Sequence, residues 1–283
     1  MSTQTLRFAP LLVALVFLLA GCDAGGSMND DQSDDFTVTA EEAAASVALA
    51  LAQETGGTID DVEDAVQFAE NLTASSKNFT RDCLFDDANV WWACSVSFER
   101  SGDVRSRTYN RVHRIQFFDA AGDPQPNYRT GGMTAESLRL TILEGSGRFS
   151  APRIESSHSI LGTPTWDVTA FRDSLFFNGN SARLHTDEVT TDQTMRLREA
   201  MQEVTLDDVL WVRGAGIESG TITGTYDAEV TITRDGETGT RTIVVSFEAV
   251  FEDGESTITF TGGGERFNGR QFAFDLLTGD LDM

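Results

Sequence analysis

The chain reads as a mainly β (α+β) protein: a large antiparallel meander sheet behind an N-terminal helical hairpin. Three observations predict this. From Phe79 onward apolar residues recur every second position, most clearly as Ile222, Gly224, Tyr226, Ala228, Val230 and Ile232 against a Thr- and acid-rich alternate set. Turn pairs such as Asp235-Gly236 and Asp253-Gly254 punctuate that pattern. Before it, two segments carry apolar residues at helical spacing instead.

In chain order, the first element is the apolar run Leu11 to Ala20, preceded by Arg7 and ending in Leu19-Ala20-Gly21-Cys22. The run is too short to span a bilayer as a mature helix, and it has the layout of a secretory leader. The tetrapeptide resembles the lipobox of bacterial lipoproteins. That resemblance implies residues 1–21 as signal peptide, cleavage before Cys22, and acyl chains on the Cys22 sulfur and its new amino group. Several chains anchor stably where one does not. It further implies a lipid-anchored protein of the bacterial cell envelope, at the outer rather than the inner membrane, with the leaflet left open. Residues 22–36 are small, polar and acidic, a tether whose flexible span is roughly 20 Å.

A helical hairpin is predicted over 37–76. Thr39 and Glu42 have capping-box spacing, and Ala44, Val47, Ala48 and Leu51 share a face. Gly56-Gly57 is expected to end the first helix. Thr58 is expected to cap the second, with Asp60 and Asp61 near its positive end and Val62, Ala65, Val66, Ala69 and Leu72 as its apolar stripe.

Residues 77–191 form a β-rich region that opens with a hairpin. Cys83 and Cys94 are expected opposite each other, with Phe85 facing Trp92 and the turn at Asp87 to Val90. In an oxidising compartment this pair makes a structural disulfide. Residues 192–283 form the antiparallel meander, entered through a short connecting helix over 192–204 with Leu197, Ala200, Met201 and Val204 on one face. Asn268-Gly269 reads as a two-residue hairpin turn. Phe177-Asn178-Gly179 and Phe267-Asn268-Gly269 lie 90 residues apart, so the sheet is either built twice or is two meanders with common turn residues. It is expected to curl into a half-barrel or a sandwich.

Charge narrows the function. The whole chain stands at −24, and loss of the leader removes Arg7 and no acid, leaving 45 acids against 20 bases. Such a balance excludes nucleic acid as a partner, because affinity there comes from neutralising phosphates. No nucleophile elbow, zinc-protease helix or P-loop occurs: Lys77 lacks the preceding glycines, and Gly262-Gly263-Gly264 lies between strands. His113, His158 and His185 are scattered through strand-like segments, and neither a metal nor a cofactor is assigned to them.

One local anomaly stands out. Arg100, Arg105, Arg107, Arg111 and Arg114 face only Asp103 between positions 100 and 114. In a strand over 104–118, Arg105, Arg107, Tyr109, Arg111 and His113 share one side. Arg105, Arg107, Arg111 and Arg114 are therefore candidate anion-binding residues for a sulfated or carboxylated glycan or a phosphate headgroup; alternatively they pair across strands with Asp and Glu. Trp91 and Trp92 must point to opposite sides, leaving Trp91 either covered or an exposed platform. The expected function is a non-enzymatic scaffold or binding and display module for an envelope protein, glycan or lipid. The alternatives are a carrier with a hydrophobic ligand in a curved sheet and, last, a hydrolase of envelope polymers.

Overall fold

Period-two burial runs through nearly every segment after Phe79, and each such segment is a strand. The computed structural model describes residues 36–70, 79–171 and 173–282. Cys22, its leader, most of the tether, Leu72 and Lys77 lie outside the described residues. Two helices precede the strands, α1 (Ala40–Leu51) and α2 (Thr58–Glu70). The strands are β1 (Phe79–Asp86), β2 (Trp91–Ser101), β3 (Ser106–Phe118), β4 (Pro124–Gln125), β5 (Arg129–Thr130), β6 (Met133–Thr134), β7 (Ser137–Ala151) and β8 (Ile154–Phe171). They continue with β9 (Ser174–Thr190), β10 (Thr194–Val212), β11 (Gly216–Arg234), β12 (Glu237–Glu252), β13 (Glu255–Thr261) and β14 (Gln271–Ala273).

The main sheet is an open antiparallel meander in the order β1-β2-β3-β7-β8-β9-β10-β11-β12-β13-β14, with β4 added beside β3; β5 and β6 form a separate ribbon. Pairing runs unbroken from β9 to β10, so the sheet continues across position 191. Together with the helices it makes one compact unit from Asp35 to Met283. Its strands reach 19 residues, well beyond the usual five or six. Register shifts recur in neighbouring strands, at Val112/His113, Thr141/Ser146, Leu161/Thr165 and Leu206/Val209. Bulges bend the strands that carry them, and one side of the sheet receives the helices.

That side carries the core. Ile222, Tyr226, Ala228, Val230 and Ile232 of β11 and Ile243, Val245, Phe247, Ala249 and Phe251 of β12 point inward, where Ala44, Val47, Ala48 and Leu51 of α1 join them. The capping box of α1 is complete: the Thr39 hydroxyl accepts from the Glu42 N–H at 3.1 Å, and the Glu42 carboxylate accepts from the Thr39 N–H at 2.9 Å. The helix ends at Leu51, before Gly56-Gly57, because Ala52 is already extended. The glycines sit in the connection, and Thr58 is the first residue of α2 rather than its cap. The C-terminal segment crosses that connection: the N–H groups of Gln53 and Glu54 donate to the Leu276 and Leu277 carbonyls at 3.1 and 2.8 Å.

The disulfide hairpin has the predicted register. Cys83 faces Cys94 and is bonded to it, and Phe85 faces Trp92 with ring centroids 5.0 Å apart.

The expected connecting helix over 192–204 is replaced by β10. Its inward side is Arg198, Ala200, Gln202, Val204 and Leu206, while Met201 points out and Leu197 lies with it on the other side. Two polar inward residues break the apolar alternation, and the remaining Leu197, Ala200, Met201 and Val204 mimic helical spacing. The two Phe-Asn-Gly triplets also occupy unlike places. Phe177 to Gly179 lies inside β9, whereas Asn268-Gly269 belongs to the long loop 262–270 rather than a two-residue turn.

Candidate functional site

Strand β3 does put Arg107, Tyr109, Arg111 and His113 on one side, but that side faces α2 and not solvent. Arg107 is partly covered and the other three are buried. Opposite them, α2 presents Asp60, Asp61 and Asp64, all buried. Arg111 meets Asp60 at 2.7 Å, Asp61 at 3.1 Å and Asp64 at 2.7 Å. Arg107 also pairs with Asp60, and Arg183 from β9 pairs with Asp61. Tyr109 donates to Asp64 at 3.2 Å. The cluster thus matches three guanidinium groups to three carboxylates.

The connection between the helices is held by the same cations. Arg111 and Arg183 both donate to the Gly56 carbonyl, at 3.2 and 2.6 Å. Gly56 has φ +81° and lies against His158, whose Cε1 is 2.8 Å from where a Cβ would stand. Glycine alone satisfies both demands at no steric cost.

Burial sets the electrostatics. Desolvation raises the Asp64 carboxyl to about 6 against the pull of Arg111. Burial also works against the Arg111 charge, yet Asp61, Asp60 and Asp64 outweigh it and hold the guanidinium charged. Burial and then the nearby arginines push His113 and His158 well below their ordinary value, and His185 falls to about 3 for the same reasons. The three histidines are therefore neutral at pH 7. His158 and His185 lie with ring centroids 6.0 Å apart, but among the described residues no group of His, Cys, Asp or Glu could hold a metal.

A second buried network fixes α1. Ser46 and Ser156 donate to Asp187 at 3.1 and 2.6 Å, and Tyr226 donates to Ser46 at 2.8 Å. Burial raises the Asp187 carboxyl.

The arginines singled out in the sequence are thus spread over three settings. Arg107 and Arg111 are in the buried cluster. Arg105 pairs with Glu54 at 3.1 Å and Asp280 at 3.6 Å, tying the helix connection to the C-terminal segment. Arg114 points to the other side of β3, over the Trp91 ring at 4.4 Å, so Trp91 is half-covered rather than an open platform. An external anion at Arg111 would have to displace three aspartates. The pairing expected across strands is instead made to a helix. Arg183 and the three aspartates were missed, although Asp60 and Asp64 are four apart on a helix and so on one face.

On the outer side of the sheet a groove of about 710 Å³ crosses β8 to β13. It begins at the Leu161–Pro164 bulge and is lined by hydroxyl and acidic groups, among them Thr205, Thr223, Thr225, Glu203 and Glu248. Among the described outward positions of β8 to β13, none is Arg, Lys or His. No known protein family, curated protein or solved structure matches this chain.

Proposed function

We propose that this chain is a lipid-anchored envelope protein that works as a non-enzymatic binding and display module, with the outer face of its sheet as the presented surface. One observation carries the proposal: the helix-bearing side of the sheet is occupied by the protein's own groups. Val47, Ala48 and Leu51 fill the apolar part, and the aspartates of α2 neutralise the arginines. A carrier needs an apolar cavity on that side for its ligand, so the filling counts against it. A hydrolase needs a reachable acid or base. Asp64 has a suitable pKa of about 6 but is 1% exposed. The outer face from β8 to β13, by contrast, has a groove open to solvent and acids with no base at its outward positions.

Anchoring rests on the lipobox resemblance at Cys22; no helix among the described residues is long and apolar enough to cross a membrane. Cells labelled with radioactive palmitate should yield a labelled chain, and Cys22→Ser should abolish the label; persistent labelling would remove the anchor from the proposal. The binding role is tested by native mass spectrometry of the full chain extracted from its own envelope. A single acylated mass that releases no further small molecule is expected. Stoichiometric release of a lipid on unfolding would overturn display in favour of transport.

A further inference from the structure

We infer that the outer face of β9 to β12 docks the basic, amphipathic surface of a protein partner; this rests on the display function proposed above. Its centre is apolar. Met201 and Leu184 face each other across β10 and β9, and both are exposed. Leu161 pairs with Ala182 one step along, inside the groove, while exposed Val244 of β12 is parted from Met201 by Asp227. Exposed side chains in contiguous register on an otherwise polar sheet mark an interaction surface more than scattered ones do.

The rim is acidic. Glu199 and Glu203 flank Met201 on its own strand, Asp227 faces it from β11, and Glu229 directly opposes Glu199. Like charges directly opposite in a sheet are destabilising. Among the described residues no cation stands against this pair. A partner that brings one relieves the repulsion, which is a differential gain available only in the complex. An apolar centre inside a charged rim is also the general layout of a protein–protein interface.

Charge selects the occupant. A second copy presenting the same face would set acid against acid. An anionic bilayer is repelled for the same reason. Lys or Arg side chains suit the surface, since their aliphatic stems cover Met201 and Leu184 while their charges reach the glutamates. A partner helix or strand with alternate basic and apolar residues provides both.

The test uses the full acylated chain in nanodiscs of zwitterionic lipid, with binding to empty discs subtracted. The probes are a fluorescent 18-residue Lys/Leu amphipathic peptide and an oligolysine of equal charge, followed by anisotropy. The amphipathic peptide should bind more tightly than oligolysine, with affinity falling as salt rises. Glu199→Gln with Glu229→Gln, and separately Met201→Ser, should each weaken it by about tenfold or more. Asp82→Asn with Glu99→Gln removes the same charge elsewhere and should change it by less than about twofold. Equal binding of both probes, equal loss from both charge pairs, or indifference to Met201→Ser would each overturn the docking surface. So would no binding at all. None of these touches the display function, which falls only if the mass spectrum releases a lipid.

Discussion

Arg111 lies at the centre of the buried cluster, within reach of all three aspartates of α2 and the Gly56 carbonyl. Its removal leaves Asp64 buried without a guanidinium and takes one of two from Asp60 and Asp61, and breaking a buried pair in this way costs about 3–5 kcal/mol. Arg111→Met should therefore unfold at markedly lower urea than the parent chain. Asp64→Asn should cost far less, because burial already drives that carboxyl toward neutrality while Asp61 answers two arginines. A ranking with Asp64→Asn worse than Asp61→Asn in urea melts would contradict this account. The pH dependence follows from the same groups. His113, His158 and His185 have folded values below their ordinary 6.5, so their contribution is intact above that pH. It is lost as acid charges the unfolded chain, by up to about 1.4 kcal/mol per histidine per pH unit. Asp64 acts in the opposite sense, its value being raised from 3.8 to about 6: it gives its stability below 3.8 and loses it as pH rises through 6. Asp187 is raised as well and acts in the same direction. Three histidines outnumber two aspartates, so stability should fall from pH 7 to pH 5, the fall setting in near 6.5 and steepening below it. Urea melts at pH 7, 6 and 5 check this, and a chain more stable at pH 5 would refute it.

Among the elements, β10 is where sequence and structure part company. In a helix, residues 200 and 201 would both belong to the stripe of 197 and 204; in β10 they point to opposite sides. Ala200→Gln should therefore destabilise strongly by burying an amide without a partner, whereas Met201→Gln should leave thermal stability within a degree or two of the parent. Equal damage from both would restore the helix. The register of β1 and β2 was legible because the cysteines and the Phe85–Trp92 pair share one arithmetic, and the meander from β11 to β13 was legible because its inward side is apolar or small from Ile222 to Ile232 and from Ile243 to Phe251. Strand β10 was not, since Arg198 and Gln202 occupy inward positions. The buried cluster escaped for a related reason. The charges of α2 look like ordinary N-terminal acids, and only the third dimension brings Arg111 and Arg183, 72 residues apart in number, onto the same helix. The disulfide closes a separation of 11 residues. Its reduction should cost about 3 kcal/mol, measured as a shift in the urea midpoint with and without reductant.

For the whole molecule, acids are sorted by side. Asp60, Asp61 and Asp64 are matched one for one by arginines within the fold, Asp187 is held by serine hydroxyls, and the outward positions of β8 to β13 carry acids and no base, Asp167 meeting Arg139 only on neighbouring β7. That stretch of surface thus carries one sign of charge, which makes association there steeply dependent on ionic strength. Composition alone could not reveal this sorting, since it counts charges without regard to side. The order of the sheet was accessible from turn spacing, because neighbouring strands in sequence are neighbours in space. The bends were not accessible, since the bulges that make them have no common residue pattern.

The backbone bridges from Gln53 and Glu54 to Leu276 and Leu277 bear on how the chain is delivered. Synthesis runs from the N-terminus, so the helices emerge long before the residues that clasp them. Until roughly the last ten residues emerge, the turn between α1 and α2 lacks its clasp, and its acids and arginines meet only through long-range pairing that is slow to form. A chaperone that shields the early helices would have its longest task here, and a premature stop after Phe274 would leave a nearly full-length sheet with an unfastened helical pair as a substrate for proteases.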